Sequence, residues 1–210
     1  DKIDDATVWR YLDDNSDPAG EPDSEGYVRT SWTAANFDDS QWKTGKGTFG
    51  AKSDGTSDGA AVKLDGIGGK DGTGDNYPTY YFRTTVNIPN ASAVTKAVGS
   101  IKYDDAAIPY INGIRAAGFN DDGCDSNSSY CSKKADTTSD IEITNVAALN
   151  LKDGVNTVAV EVHNESAGSS DIFFGLPELA LSDEAVDYQS NISLSMGADE
   201  SQMGFTWYSI

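Results

Sequence analysis

Residues 155–162 read VNTVAVEV, and their alternation decides the fold class. In an extended chain Val158, Val160 and Val162 share one face, while Ala159, Glu161 and the following His163 share the other. A strand with one apolar face needs a second layer to bury it against. Similar signals recur on both sides. Residues 7–12, 80–88 (closed by Pro89), 99–103 and 172–181 read as strands. Residues 108–116 place Asn112-Gly113 between apolar runs. That pair supplies the two positive-φ residues of a type I′ turn, so the stretch reads as a hairpin. Helical pattern is confined to about one turn at 146–151. Short strands punctuated by Gly, Asp, Asn and Ser predict an all-β, antiparallel sandwich over residues 1–183. Arg83, inside a strand, is expected to pair with a carboxylate and brace the sheet.

Composition narrows the function classes. The 210 residues carry 15 Lys plus Arg against 34 Asp plus Glu, a formal net charge of −19. Phosphate neutralisation needs a basic face, so nucleic acid is excluded as a default partner. An anionic membrane surface is disfavoured, and no run approaches the roughly 20 apolar residues of a membrane span. The single histidine, His163, excludes mechanisms that require two. Cys124 and Cys131 sit in a Ser/Asn-rich stretch whose spacing suits a local disulfide, worth roughly 2–3 kcal/mol. That bond implies an oxidising setting, secreted or at the cell surface. The rival zinc reading is set aside, because two thiolates are too few and no histidine is near them in the chain.

Several stretches carry a resemblance. WRYLDDNSDPAG at 9–20, WTAANFDDSQW at 32–42, YYFRTTVNIP at 80–89, YDDAAIPYINGIRAAGFN at 103–120 and LKDGVNTVAVEVHNESAGSSDIFFGLPELAL at 151–181 together resemble a galactose-binding-like module. The resemblance implies a jelly-roll β-sandwich of the kind that accompanies secreted bacterial hydrolases, with carbohydrate (glycan or cell-wall polysaccharide) as ligand. It also implies a structural calcium as cofactor. Asp13, Asp14, Asp17 and Asp23 in the first loop, and Asp54, Asp58, Asp65, Asp71 and Asp75 in the long stretch at 50–76, are the residues that would hold one; a solvated acidic surface is the other reading. The polar stretch 184–190 reads as a linker. NISLSMGADESQMGFTWYS at 191–209 resembles the opening strands of the fibronectin-like domain that precedes the catalytic domain of purple acid phosphatases. It implies that residues 191–210 begin an incomplete second domain, and that the chain is a non-catalytic accessory part of a secreted metallophosphoesterase. The alternative is a structural spacer packed on that catalytic domain, with no ligand of its own.

The candidate ligand-binding residues are Tyr77, Asp104, Asp105, Arg115, Asn120, His163, Asn164 and Asp171. Asp104 and Asp105 are open to two readings: one carboxylate for a ligand and one for the fold, or both accepting backbone N–H groups at a strand end. The turn after His163 is expected to gather His163, Asn164 and Asp171 into a sugar-hydroxyl site, or into a satisfied polar knot with Asp171 orienting His163. Tyr77, between the acidic stretch and Pro78, is the expected exposed stacking platform. Arg115 and Asn120 follow the hairpin turn and would face a ligand rim. Phe37 and Trp42 are expected to anchor the turn at Asp38-Asp39.

Overall fold

The computed structural model describes residues 2–69, 74–182, 193–196 and 203–206. Its strands in chain order are β1 (Lys2–Asp4), β2 (Val8–Leu12), β3 (Lys43–Lys46), β4 (Phe49–Lys52), β5 (Val62–Lys63), β6 (Thr79–Ile88), β7 (Lys96–Asp104), β8 (Ala106–Ile111), β9 (Ile114–Arg115), β10 (Asp136–Ile143), β11 (Gly154–His163), β12 (Asp171–Ser182), β13 (Ser193–Met196) and β14 (Met203–Thr206). The first sheet runs β10-β7-β12-β4-β5, with β1 also on β12; the second runs β3-β2-β6-β11-β8-β9. Pairing is antiparallel except for the short β4–β5 pair. The expected all-β, antiparallel sandwich is therefore the observed fold. Among the described residues, β13 and β14 pair with each other and with no other strand. The linker expected at 184–190 lies outside the described residues.

Each strand is where its side chains dictate. Along β11 the three valines are fully buried and face the first sheet, meeting Ile101 of β7 and Ile172 and Phe174 of β12 in one apolar cluster. Aromatic rings fill its centre: Phe82 lies 4.3 Å from Phe174 between ring centroids, and Trp9 meets Phe174 edge-on at 5.2 Å. The hairpin forms at Asn112 (φ 49°) and Gly113 (φ 84°), joining β8 to β9. Residues 146–149 make a turn of 3₁₀ helix. A register shift in β12 between Gly175 and Glu178 admits Pro177, which has no N–H to give to a ladder.

The second sheet has a second buried layer on its far side. Trp32, Tyr81, Ile108, Tyr110, Ala159, Cys124 and Cys131 form it, covered by the loops at 13–42 and 116–135. Trp32 packs edge-on against Tyr81 (4.9 Å) and Tyr110 (5.9 Å). Phe37 and Trp42 anchor its margin, 5.8 Å apart. Arg83 donates to Asp39 Oδ2 at 2.8 Å and to the carbonyls of Trp32 and Ala34, tying the first loop to β6 as expected.

Candidate functional site

One rim of the sandwich carries two adjoining open clefts. The larger, about 390 Å³, is lined by Lys52, Lys63, Asp65, Asn76, Ser169 and the glycine-rich backbone at 66–69. The smaller, about 330 Å³, is lined by Asp104, Asp105, Lys134, Asp136, Ser169 and Asp171. The loops that build them leave β4, β6, β7, β11 and β12 at the same end. Buried Asn76 staples them together: its Oδ1 accepts from Gly68 N at 2.7 Å and its Nδ2 donates to Ser169 O at 2.7 Å. At Gly66 (φ 97°) a Cβ would meet Tyr77 Cδ2 at 2.2 Å, so only glycine lets the loop close over that ring.

Within the smaller cleft Asp104 and Asp105 are both buried, at the joint of β7 and β8. Asp105 behaves as a fold carboxylate: Oδ1 accepts from Ala135 N at 3.0 Å and Oδ2 from Glu165 N at 2.7 Å. Burial raises its pKa, and these two N–H groups work in the opposite direction. Asp104 has no such backbone donors. Burial, then the neighbouring charges of Asp105 and Asp171, push it up to about 8, so the pair holds a proton near neutrality.

The other expected site residues are distributed differently from the sequence reading. Tyr77 is half-buried and packs on the core, so it is not an exposed platform; its ring lies over Gly66. His163 and Asp171 do not form a knot. His163 is fully buried on the far side of the second sheet, 3.0 Å from Thr79 Oγ1 and 3.1 Å from Ser129 O through Nδ1. Asp171 instead accepts from Ser170 Oγ and lies 3.9 Å from Lys52 Nζ. Strand alternation explains the separation, since His163 follows the outer row of β11 while β12 belongs to the other sheet. Asn164 fastens three segments: N donates to Pro78 O (2.9 Å), Nδ2 to Tyr77 O (2.8 Å), and its carbonyl accepts from Cys131 N (2.9 Å). Asn120 donates to Asp105 O and Lys133 O, and Arg115 is held by Asp121. These are structural engagements; among the eight candidates, Asp104, Asp105 and Asp171 line a cleft.

Beneath the far layer of the second sheet lies a buried polar row that sequence reasoning did not assemble. Glu161, 1% exposed, accepts from Arg29 Nη2 at 2.9 Å and from Tyr110 Oη at 2.8 Å. His163 Nε2 stands 3.7 Å from Glu161 Oε2, ion-pair range without a hydrogen bond. Burial would raise the Glu161 pKa, but His163, Arg29 and Tyr110 outweigh it and hold the carboxyl below its usual value. Nothing in the local sequence marks Arg29 as a partner of Glu161, 132 positions away. The two cysteines are joined, as their spacing suggested. The histidine thought remote from them is not: a His163 ring nitrogen and both sulfurs lie within 4.8 Å of one another. Chain distance hid what register brought together.

Among the described residues, several of the carboxylates named for calcium are already engaged one by one. Asp13 is buried against Lys43 (2.8 Å) and accepts from Asp65 N (2.9 Å). Asp17 accepts from Tyr27 Oη and Ala19 N, Asp14 from Ser16, Asp54 from Thr56 N, and Asp58 pairs with Lys52. Asp71 lies outside the described residues. Calcium requires six to eight converging oxygens. Among the described residues, the only cluster of three His, Cys, Asp or Glu ligand atoms is Cys124, Cys131 and His163.

No protein-family model matches the chain, and no curated protein matches it. Solved structures similar to it include a β-glucuronidase of Bacteroides uniformis (15% identity, TM-score 0.45, 84% of this chain and 18% of that one). A β-glycosidase of Bacteroides vulgatus has 16% identity, a TM-score of 0.46, and coverage of 100% and 24%. A β-glucuronidase of an uncultured Clostridium sp. has 12% identity, a TM-score of 0.46, and coverage of 100% and 34%. The chain spans between 18% and 34% of the length of these proteins. Similarity this low assigns neither family nor activity.

Proposed function

We propose that the chain is a non-catalytic accessory module that binds carbohydrate at its rim, in a secreted or cell-surface protein. The supporting observation is the larger rim cleft, open to solvent and lined by Lys52, Asp65, Asn76, Ser169 and loop backbone. Such groups suit sugar hydroxyls, which need donors and acceptors in fixed positions. Lys63 has no ion-pair partner among the described residues and is exposed at the cleft wall. An open site with few anchors binds weakly, with Kd about 1 mM, close to −4 kcal/mol. The disulfide supports the oxidising compartment.

A spacer would present an apolar patch to its neighbour. The exposed large apolar side chains among the described residues are Val8, Val28 and Val155, from three separate elements. That favours recognition over packing. The phosphoesterase context is the second half of the proposal; its support is the residue pattern at 191–209. An assay of the chain against a phosphate monoester with added divalent metals should show no turnover. The coding sequence following Ile210 should show a two-metal phosphatase motif; a different downstream domain would remove the context and leave the module.

A glycan array probed with the folded chain tests the leading reading. Binding to a subset of glycans, lost in Lys63→Ala, is expected. A flat array with protein of unchanged circular dichroism would contradict it.

A further inference from the structure

The end of β11 carries a group that neither rim cleft uses. A His163 ring nitrogen and the Cys124 and Cys131 sulfurs lie within 4.8 Å of one another, and all three side chains are buried. The hydrogen bonds around the imidazole place a hydrogen on Nδ1. The Ser129 carbonyl, 3.1 Å from Nδ1, can only accept. The Thr79 hydroxyl, 3.0 Å from Nδ1, gives its own proton to Asn127 O at 2.9 Å, so its oxygen also accepts. Both contacts require a hydrogen on Nδ1, and neither engages Nε2. Nε2 is buried and has no hydrogen-bond partner. An imidazole anchored through one nitrogen and open at the other is how proteins present histidine to a metal. Glu161 Oε2 lies 3.7 Å from Nε2 and is held by Arg29.

We propose that Cys124, Cys131 and His163 form a redox-gated site for a zinc-class divalent cation, closed while the disulfide is intact and open to the ion once it is reduced. Two molecules of a thiol reductant convert the protein disulfide into two cysteine thiols and leave as their own disulfide. The cation then displaces both thiol protons and takes two thiolate sulfurs and Nε2, with a water as the fourth donor. Two soft sulfurs with one imidazole suit zinc and its analogues and are unsuited to calcium or magnesium. Both cysteines lie in the 116–135 stretch between β9 and β10, which contains no named strand or helix. Opening the site therefore moves a loop and leaves the strand ladders intact.

Cobalt(II) is the probe, because thiolate ligation gives it an intense near-ultraviolet charge-transfer band. The full chain is reduced with a phosphine in metal-free, oxygen-free buffer and titrated. The expected result is one equivalent of cobalt taken up with that band, displaced by zinc, and no uptake by the oxidised protein. Cys124→Ser should abolish the band, and His163→Gln should weaken cobalt binding at least tenfold. Reduced protein that keeps its near-ultraviolet circular dichroism yet binds no cobalt would overturn the site. So would His163→Gln with unchanged affinity. Should reduction unfold the chain, refolding on addition of zinc supports the proposal, and failure to refold overturns it.

Discussion

The two faces of β11 use different physics within one strand. On the inner face, Val158, Val160 and Val162 are interchangeable in kind: non-directional burial against Phe82, Phe174 and their neighbours, where shape and volume decide the outcome. On the outer face, Glu161 and His163 are equally buried, but each depends on particular atoms: Arg29 Nη2, Tyr110 Oη, Thr79 Oγ1 and Ser129 O. Losing a methyl inside leaves a small void. Losing one partner outside strands a polar or charged group away from water, which costs more for fewer atoms. The inner face makes the sandwich; the outer face specifies which loops lie on it.

That contrast can be tested in order of effect. Glu161→Ala strands Arg29 and Tyr110, and should lower unfolding free energy by about 3–5 kcal/mol in a urea titration. Val160→Ala, one residue away, should cost roughly 2 kcal/mol. Equal losses would erase the distinction. Replacing the network together (Arg29→Met, Glu161→Leu, Tyr110→Phe) should bring the loss back within about 1 kcal/mol of wild type, because no orphaned charge remains. Opening the ring in Cys124→Ser/Cys131→Ser should cost roughly 2–3 kcal/mol, read as a lower Tm.

The rim gives a smaller, pH-dependent effect. In the unfolded chain the Asp104 carboxyl ionises at the ordinary 3.8; in the fold it holds its proton to about 8. Between those values the folded state binds more protons, so stability falls as pH rises through that window. Asp104→Asn should flatten this slope and gain on the order of 1–2 kcal/mol at pH 8 relative to pH 5, by chemical denaturation at the two pH values. Calcium against chelator should leave Tm unchanged, since Asp13, Asp17 and Asp58 are held by lysines, a hydroxyl and backbone N–H groups. A rise of several degrees would restore the calcium reading.

Legibility followed how local the signal was. β11 and the Asn112-Gly113 hairpin could be read because alternation and turn chemistry act over a few residues. β10 could not: DTTSDIEI is an edge strand in which Ile141 alone is fully buried, so it lacks an apolar rhythm. β3, with KTGK, is another polar edge. The Cys124–Cys131 bond was visible from its short spacing. The approach of His163 to it was not, because that contact depends on how a long loop is laid over the sheet. Tyr77 misled for a related reason: a tyrosine beside Pro and Asp reads as exposed, yet a glycine eleven positions earlier made room for its ring.

The rim is best tested by amide NMR of the folded chain during titration with a glycan selected from the array. The account predicts saturable shifts concentrated at residues 52–69, 74–76 and 167–169, absent in Lys63→Ala. Shifts centred on another face of the sandwich, or none at saturating glycan, would contradict it.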